Sequence, residues 1–478
     1  MPNLTLVRPS EEHIEEIRSY RDEFRAHDTH SHGDSGLYKS EDIATWINGC
    51  RQMENTETLP SPNHVEADQF MLIQEGNPEI LGMISLRRRL IEGYLAEHGG
   101  HIGYGVRPTQ RRKGYAKAML ALCLEEARNI GLTKVLICCD LDNAGSRGTI
   151  KACGGQFERL AITDHEVDER YWITLDKPQA AQPENSNFNT KHGHETAMAF
   201  EGVSAGSDKN CHPQSQTPHL NNYYTTQCDE SQRLTSKKGL VEYLTTMRYV
   251  DEYLTPEAKV LEIGAGTGRY SQTIANMGHK VEAVELIDAN IEIFKKNLKP
   301  TQNINITQAS ALDLSMFASN TFDITLLLGP LYHLFTQEDK HQAIKEALRV
   351  TKPGGIIFAA YCLTDASIAR SGFANNRFSV KEYIQQGKIN PQTFATTSVP
   401  EDIFELVRKE DIDNLMKPFP VERLHYVATD LFAPWIGEQI NEMDDETYAL
   451  YLRHHFAICE RPDLSGAGYH SLDVFRKL

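Results

Sequence analysis

The sequence has no long hydrophobic run. No apolar segment approaches the roughly 20 residues that span a bilayer, and the first eight residues, MPNLTLVR, carry no basic flank ahead of an apolar stretch. We therefore expect neither a membrane span nor a signal peptide. These absences predict a cytoplasmic protein without a membrane partner.

Cysteine pairing is also missing. The nine cysteines are an odd number, and no two of them form a CxxC pair. A disulfide framework or a zinc ribbon is therefore not expected. Cys138 and Cys139 are adjacent in a predicted strand, where they point to opposite faces and fill core space. No metal site is predicted.

Positive charge is scarce. Lys and Arg number 49 against 66 Asp and Glu, which gives a net charge of −17. Such a surface repels phosphate backbones, so nucleic acid is not an expected partner. Hydrophobic residues make up 40% of the 478 residues, enough for two to four domains with packed cores. The expected substrates are small molecules.

Composition divides the chain into three segments. Residues 178–222 are rich in Gln, Asn, Ser, His, Pro and Gly, and their few apolar residues show no period, which predicts a flexible linker. The linker separates a predicted domain over residues 1–177 from a second over residues 223–478. The second alternates strands with helices, which favours a doubly wound parallel sheet of Rossmann-like type.

The strongest elements can be placed individually. Leu4–Arg8 and His101–Val106 are predicted strands, and Gly114–Ile130 is an amphipathic helix that Gly131 ends. In the second domain the predicted strands are Lys259–Ile263, Lys280–Glu285, Asn303–Gln308, Phe322–Leu328 and Gly355–Ala360, the last of them following a turn at Pro353-Gly354-Gly355. A mostly helical cap insertion is expected at about residues 365–420. An antiparallel pair of strands at the sheet edge, Val421–Thr429 and Tyr469–Arg476, then closes the domain.

A basic turn precedes the amphipathic helix of the first domain. Its sequence is Arg111-Arg112-Lys113-Gly114-Tyr115-Ala116. A helix N-terminus offers free N–H groups and positive potential, and a glycine lets the backbone approach an anion closely. The pattern favours a pyrophosphate-binding turn, and a merely solvated basic turn remains the alternative.

Residues 3–175 resemble the GNAT family of N-acetyltransferases. The family signature Gln/Arg-x-x-Gly-x-Gly/Ala falls on Arg111, Gly114 and Ala116. The resemblance implies a mixed sheet with helices that binds acetyl-CoA. Backbone groups of Val106 and of Arg111, Arg112, Gly114, Tyr115 and Ala116 would hold the pantetheine and pyrophosphate, and Asn143 would contact the CoA arm.

Acetyl transfer needs a neutral amine and a polarised thioester carbonyl. Glu66, Asp68 and His101 are candidate bases, and each is weighed against a simple structural or solvated role. The family often places a tyrosine general acid where this chain has Ile150. A non-catalytic acetyl-CoA-binding or dimerisation module therefore stays open as an alternative, and with it a homodimer.

A glycine-rich loop follows the first predicted strand of the second domain. Its sequence is Glu262-Ile263-Gly264-Ala265-Gly266-Thr267-Gly268, whereas a dinucleotide fingerprint places its third glycine at the position that Arg269 occupies here. The spacing suits S-adenosylmethionine, because glycines let the loop pass beneath the methionine part of that cofactor. Glu285 ends the next strand, in position for the ribose hydroxyls, and Asp313 after the third strand suits the adenine amino group.

Residues 223–478 resemble class I SAM-dependent methyltransferases, in particular the UbiE-like small-molecule group. The resemblance places Glu262, Gly264, Ala265, Gly266 and Gly268 at the methionine moiety and Glu285 at the ribose. It places Ala311 and Asp313 at the adenine and Leu328 near the methyl group. The Asn/Asp-Pro-Pro-Tyr motif of base-modifying enzymes is absent; the chain has Gly329-Pro330-Leu331-Tyr332-His333 instead.

Methyl transfer mainly requires alignment of the nucleophile and exclusion of water. His333 is predicted to deprotonate or orient the acceptor and Tyr332 to hydrogen-bond it; a histidine that caps a helix or fills the pocket wall is the alternative. Tyr223, Tyr224, Glu230 and Arg233 are expected in a helical lid.

Two cofactor motifs in series predict a bifunctional transferase that uses acetyl-CoA and S-adenosylmethionine. Two other interpretations remain. In one, the first domain only regulates the methyltransferase; in the other, two independent enzymes are merely tethered.

Overall fold

A computed structural model describes residues 4–27, 32–61, 64–163, 167–175, 217–226, 228, 230 and 232–478. The chain divides into two compact units, Met1–Asn189 and Thr190–Leu478. Most of the predicted linker lies outside the described residues, although a helix begins at Thr217, within the linker's predicted bounds. Within the described ranges, every helix is too short or too polar to cross a bilayer.

The first unit is built on antiparallel sheets. Its strands are β1 (Leu4–Val7), β2 (Ala67–Gln74), β3 (Asn77–Arg87), β4 (Ile102–Val106), β5 (Lys134–Asp140), β6 (Gln156–Ile162) and β7 (Val167–Thr174). Its α-helices are α1 (Ile14–Ala26), α2 (Ile43–Gln52), α3 (Tyr115–Asn129) and α4 (Ala144–Ala152). One sheet has the order β1-β2-β3-β4 and the other β5-β7-β6.

The two sheets of this unit meet at the start of β4. The His101 amide donates to the Leu136 carbonyl at 2.7 Å, and the Leu136 amide donates to His101 Nδ1 at 2.9 Å. Beyond this junction the described parts of β4 and β5 share no ladder. Helix α3 buries Leu120, Cys123 and Leu124 against both sheets, as its apolar spacing predicts.

The second unit carries one mixed sheet with a parallel centre. Its strands are β8 (Lys259–Ile263), β9 (Lys280–Glu285), β10 (Ile304–Gln308), β11 (Phe322–Leu327), β12 (Thr351–Leu363), β13 (Leu406–Val407), β14 (Val421–Ala428) and β15 (His470–Lys477). The order is β10-β9-β8-β11-β12-β15-β14, and β13 pairs with β12. Strand β15 is antiparallel to both of its neighbours, β12 and β14, and the other described pairs of this sheet are parallel. The α/β fold class with a doubly wound sheet is confirmed.

Helices flank this sheet and connect its strands. They are α5 (Thr217–Thr226), α6 (Lys237–Tyr253), α7 (Arg269–Asn276), α8 (Asp288–Asn297), α9 (Gln337–Val350), α10 (Thr364–Ser367), α11 (Val380–Gln385), α12 (Lys409–Met416), α13 (Gly437–Glu442) and α14 (Asp445–Ile458). The segment from α10 to α12, with β13, falls in the predicted cap insertion. Its β13 joins the sheet through Cys362 and Leu363 of β12.

The predicted turn at Pro353-Gly354-Gly355 is wrong. Strand β12 already begins at Thr351, directly after α9, and runs through these residues. Its register against β11 shifts between Phe322 and Ile324. Gly354 has a φ of +76°, so the extra residues form a bulge inside the strand.

Candidate active sites

The glycine loop of the second unit is shaped by its neighbours in the protein. Gly264 and Gly268 have φ angles of +74° and +84°. A Cβ atom at Gly268 would lie 2.2 Å from Cε2 of Phe294, and one at Gly264 would lie 2.7 Å from Cδ of Pro330. Both positions therefore require glycine for conformation and for space.

Two buried carboxylates hold this loop. Glu285 accepts hydrogen bonds from the amides of Gly266 at 2.6 Å, Ile287 at 2.8 Å and Leu286 at 2.9 Å. Burial raises its pKa, and these bonds oppose the rise. Glu285 thus ties β9 to the glycine loop.

Glu262 supports the start of α7. It accepts a hydrogen bond from the Ser271 amide at 2.9 Å and another from the Ser271 hydroxyl. Burial raises the pKa of Glu262 to about 8, against the lowering effect of the Ser271 bonds. This carboxyl group is therefore largely protonated at neutral pH in the unliganded protein.

A cavity of about 310 Å³ opens over the loop. Most of the predicted site residues line it: Glu262, Gly264, Ala265, Gly266, Glu285, Ala311, Leu328, Tyr332 and His333. Gly268 lies just outside the lining and packs on Phe294 instead. The structure thus brings together residues from the ends of β8, β9, β10 and β11, as expected for a parallel sheet.

Asp313 does not belong to this site. Its side chain is exposed, accepts a hydrogen bond from the Ser315 amide at 3.0 Å and does not line the cavity. The residues just before it, Ser310, Ala311 and Leu312, form the wall instead. The predicted adenine contact of Asp313 is therefore wrong, because the chain turns the carboxylate into a local turn cap.

Sequence reasoning missed part of the wall. Leu286, Ile287 and Asn290 line the cavity opposite Ala311 and Leu312. The available signal was the apolar pair directly after Glu285. Helix α5 adds Leu220 and Tyr224, so the predicted lid region does reach the cavity.

His333 is held in one tautomer. Its Nδ1 lies 2.8 Å from the Ile403 carbonyl oxygen, which only accepts, so Nδ1 carries the proton. Its Nε2 lies 2.9 Å from the Tyr224 hydroxyl and accepts from it. Burial lowers the pKa of His333 to about 4, so the ring is neutral, and its one lone pair, on Nε2, accepts the Tyr224 hydroxyl at the cavity wall.

Tyr332 presents a hydroxyl without a protein partner. Its ring packs against His333 at 4.8 Å and Phe404 at 5.9 Å between centroids. Among the described residues none forms a hydrogen bond with the hydroxyl, and burial raises the pKa of the phenol. Tyr332 therefore stays protonated, and its hydroxyl is available to a bound molecule.

An ion-pair network supports the wall on the lid side. Arg233 pairs with Glu230 at 2.8 Å and Glu242 at 2.9 Å, and His470 pairs with Asp430 at 2.9 Å. Glu242, Asp430 and His470 lie within 4.8 Å of one another. The Arg233 guanidinium neutralises their charge, so we interpret the cluster as ion pairing rather than metal binding.

The basic turn of the first unit is braced from α1. Glu23 accepts bonds from the Thr109 amide at 2.9 Å, the Thr109 hydroxyl at 2.8 Å and Arg107 Nη1 at 3.0 Å. Arg112 has a φ of +63° and Gly114 one of +86°. Consecutive N–H groups in such a turn, followed by a helix start that no described side chain caps, form an anion-binding concavity.

The residues of this turn that were predicted to contact CoA have different surroundings. Arg111 folds back: its Nε donates to the Val106 carbonyl at 3.3 Å, and its guanidinium lies 5.6 Å from the Phe24 ring centroid. Arg112 is exposed, and a Cβ atom at Gly114 would meet nothing within 4 Å. Tyr115 and Ala116 open α3. Arg111 thus supports the turn, while Arg112 and Gly114 border open space.

The predicted bases Glu66 and Asp68 are both held in structural bonds. Glu66 accepts from the Thr56 hydroxyl and, at 3.0 Å, from Arg89, and these bonds lower its pKa to about 2. Asp68 is buried and pairs with Arg88 at 2.8 Å and with a second arginine. Burial raises the pKa of Asp68, but the arginines outweigh it and lower the pKa. Neither carboxylate is suited to accept a proton at neutral pH.

The third predicted base, His101, is also structural. Its Nδ1 accepts the Leu136 amide at the junction of the two sheets, and burial lowers its pKa to about 4. The prediction of a catalytic role is therefore wrong for this residue, because its lone pair completes the sheet.

The predicted CoA-arm residue Asn143 caps α4. Its side-chain oxygen accepts the Ser146 amide at 2.9 Å. Tyr104 Oη lies 2.9 Å from the Ser146 hydroxyl oxygen at the same helix start. Ile150, at the position expected for a family tyrosine, is fully buried in the core. A side chain at position 150 therefore faces the interior.

Comparison with known proteins finds a known domain in each unit. Residues 3–156 match the acetyltransferase (GNAT) domain, and residues 261–359 match a methyltransferase domain. The ubiquinone/menaquinone biosynthesis C-methyltransferase UbiE of Haemophilus ducreyi is 36% identical over 103 residues, 20% of this chain and 38% of that protein. A ubiquinone biosynthesis O-methyltransferase of Coxiella burnetii is 29% identical over 114 residues, 23% of this chain and 47% of that protein.

The chain thus spans less than half the length of these curated relatives. A solved protein from Pyrococcus horikoshii OT3 is 17% identical, with a TM-score of 0.37, and the match covers 54% of this chain and 99% of that one.

The family matches assign one known domain to each of the two units of the chain. Its first unit carries a GNAT acetyltransferase domain, and its second carries a methyltransferase domain with distant UbiE-type relatives.

Proposed function

We propose that the chain is a bifunctional transferase. Residues 223–478 transfer a methyl group from S-adenosylmethionine to a small molecule, and residues 1–177 transfer an acetyl group from acetyl-CoA to an amine. The observation that carries the first activity is the neutral His333, with Tyr332 beside it, on the wall of a cavity whose floor is the glycine loop.

The cavity fits the cofactor by chemistry at each end. The loop from Gly264 to Gly266 offers bare backbone to the methionine part, and Glu285 lines the cavity, where its carboxylate is proposed to meet the ribose hydroxyls. The apolar residues Ile287 and Leu312 provide a slot for a flat base. Loaded with the cofactor, the site supplies an activated methyl group.

The residues at the opposite wall act on the acceptor. His333 accepts a hydrogen bond from the nucleophile's N–H or O–H and so directs its lone pair toward the methyl group. Tyr332 donates to a second polar atom of the acceptor. Tyr224 holds His333 until the acceptor arrives, and α5 excludes water. Alignment of this kind supplies most of the catalysis in an in-line displacement.

Calorimetry with S-adenosylmethionine and a product assay for S-adenosylhomocysteine test this activity. We expect micromolar cofactor binding and turnover with a small-molecule extract. Wild-type protein that fails to bind the nucleoside at millimolar concentration would refute the proposal.

The acetyl-CoA site is proposed from the braced turn between Pro108 and Gly114. Since Glu66, Asp68 and His101 are all held in other bonds, none of the three candidate bases is suited to deprotonate the acceptor amine. The lack of a suited base among these three residues strengthens the alternative, in which the first domain is a non-catalytic acetyl-CoA-binding module that regulates the methyltransferase.

An Arg112→Glu, Gly114→Trp double variant separates the two cases. Acetylated product that the wild type forms and the variant loses supports acetyl transfer. If the variant changes the methylation rate while neither protein acetylates any amine, regulation is the correct interpretation.

A further inference from the structure

A second cavity lies behind Tyr332. It has a volume of about 200 Å³ and lies between α9, α12 and the end of β12, with cap residues such as Ala395 at its wall. Tyr332 lines this cavity and the cofactor cavity alike. Tyr332 therefore borders both spaces.

The wall between the cavities is tied to the cap. The Glu405 amide donates to the Tyr332 carbonyl at 2.7 Å, and His333 Nδ1 donates to the Ile403 carbonyl at 2.8 Å. The cap segment that forms the second cavity thus also sets the position of the two residues proposed to meet the acceptor.

Volume indicates why a second space is needed. Ligand pockets range from about 300 to 1,000 Å³, so the cofactor cavity, at about 310 Å³, is near the small end of that range. The rest of an acceptor needs room beyond it, and the cavity behind Tyr332 adjoins the proposed reaction centre.

Charged side chains of both signs line this second cavity. Lys340 is buried, with its Nζ 2.6 Å from each carboxylate oxygen of Glu405. Arg408 donates through Nε and Nη2 to Asp365 and through Nη2 to a backbone carbonyl. Asp411 accepts the Arg408 amide. The lining therefore carries two cations, Lys340 and Arg408, and two anions, Glu405 and Asp411.

Each charged group has hydrogen-bonding capacity left. An ammonium has three donors, of which Lys340 uses two, and Nη1 of Arg408 has no described partner. The carboxylates of Glu405 and Asp411 keep free lone pairs. A ligand with one negative and one positive group can use both sets of remaining hydrogen-bonding atoms, whereas a singly charged ligand uses only one set.

We propose that this cavity receives the body of the methyl acceptor and that the acceptor is an amino-acid-sized zwitterion. The assignment rests on the methyltransferase function proposed above. The ligand carboxylate binds Lys340 and Arg408, its ammonium binds Glu405 and Asp411, and its nucleophile reaches past Tyr332 to His333.

Saturation-transfer NMR on the full chain tests the assignment. S-adenosylhomocysteine first saturates the cofactor cavity, and its binding is measured by calorimetry in the same samples. The probes are neutral L-amino acids, each alongside its decarboxylated amine and its deaminated acid. An Ala395→Trp variant fills the cavity mouth from an exposed position, and Gln392→Trp, exposed in the same loop but outside the cavity, is its matched control.

We expect at least one amino acid to bind about tenfold more tightly than its amine or acid, a difference of about 1.4 kcal/mol. Ala395→Trp should abolish this binding and leave the nucleoside affinity unchanged, and Gln392→Trp should change neither. Preference for the amine or the acid, binding of no amino acid, or an Ala395→Trp protein that binds like wild type overturns the zwitterion assignment. Failure of S-adenosylhomocysteine to bind refutes methyl transfer itself, so the two failures are distinguishable.

Discussion

The two candidate sites use glycine in opposite ways. In the second unit, positions 264 and 268 require glycine because other parts of the protein fill the space of a side chain. Pro330 fills it at Gly264 and Phe294 fills it at Gly268. In the first unit, Gly114 borders open space, so only a ligand would meet a side chain there. The comparison teaches that one site is built as a preformed cavity and the other as exposed backbone.

The largest effect is expected at Gly268. Gly268→Ala adds left-handed strain of about 1–2 kcal/mol and, through the clash with Phe294, a further overpacking cost of about 1–3 kcal/mol. We expect S-adenosylmethionine binding to be lost, together with that much unfolding free energy in denaturant titrations. The matched control is Gly278→Ala, with a φ of +100° and nothing within 4 Å; equal losses in both variants would contradict the packing argument.

The next effect concerns the cavity wall. His333→Gln should lower kcat for methyl transfer by about 10²–10⁴-fold, the usual contribution of a positioned proton acceptor, while cofactor affinity changes less than about twofold. Tyr224→Phe removes only the closing hydrogen bond and should cost much less. Steady-state kinetics with calorimetry measure both, and a purely structural His333 would show itself as lost cofactor binding with unchanged kcat.

In the first unit the comparison can be tested at Gly114. Gly114→Ala should cost about 1 kcal/mol of stability through backbone strain and reduce acetyl-CoA affinity about tenfold or more, since the methyl group intrudes where the pyrophosphate is proposed to lie. Gly131→Ala is its control, at the other end of α3 with the same φ of +86° and an equally open surrounding. Fluorescence titration with acetyl-CoA separates them, and identical affinities would argue against the site.

A pH effect follows from Glu262. Its pKa of about 8 in the free protein should fall when the sulfonium and ammonium of the cofactor bind nearby, because a cation favours the ionised carboxylate. Binding then releases a proton, and affinity rises about three- to tenfold from pH 6 to 8.5. Calorimetry in buffers of different ionisation enthalpy counts the proton, and Glu262→Gln must remove its release, leaving only the titration of the ligand's own amino group.

The smallest effect is expected at Glu66. Because Thr56 and Arg89 already hold its carboxylate with a pKa of about 2, Glu66→Gln should change any acetyl transfer by less than about twofold. A loss of a hundredfold in kcat, with a shifted pH profile, would restore Glu66 as the base.

Backbone features of both sites were predictable from the sequence. The bounds of β8 and β9 agree with the prediction, because short apolar runs flanked by glycine and turn residues define a buried strand. The glycines at 264, 266 and 268 predicted the position of the loop. Because the carboxyl ends of parallel strands meet at one edge of a sheet, Glu285 and His333 were expected at that edge. These features depend on residues that are close together in the sequence, so they can be predicted from one sequence alone.

Side-chain roles were less predictable. Asp313, His101 and Glu66 have the residue types that the chemistry calls for, but each is committed to a local cap, a sheet junction or an ion pair. For His101 and Glu66 these commitments depend on partners more distant in sequence, such as Leu136 for His101. The hydrogen bond from His333 to Ile403 likewise joins residues 70 positions apart, and no spacing pattern in the sequence predicts it.

Leu220 and Tyr224 of α5 line the cofactor cavity. Under the proposed methyl transfer, we expect release of the spent nucleoside to require movement of this helix. Turnover would then begin with a rapid first cycle and settle to a rate governed by exit of the demethylated carrier. Loss of the Tyr224 contact would narrow the difference between the initial burst and the steady state.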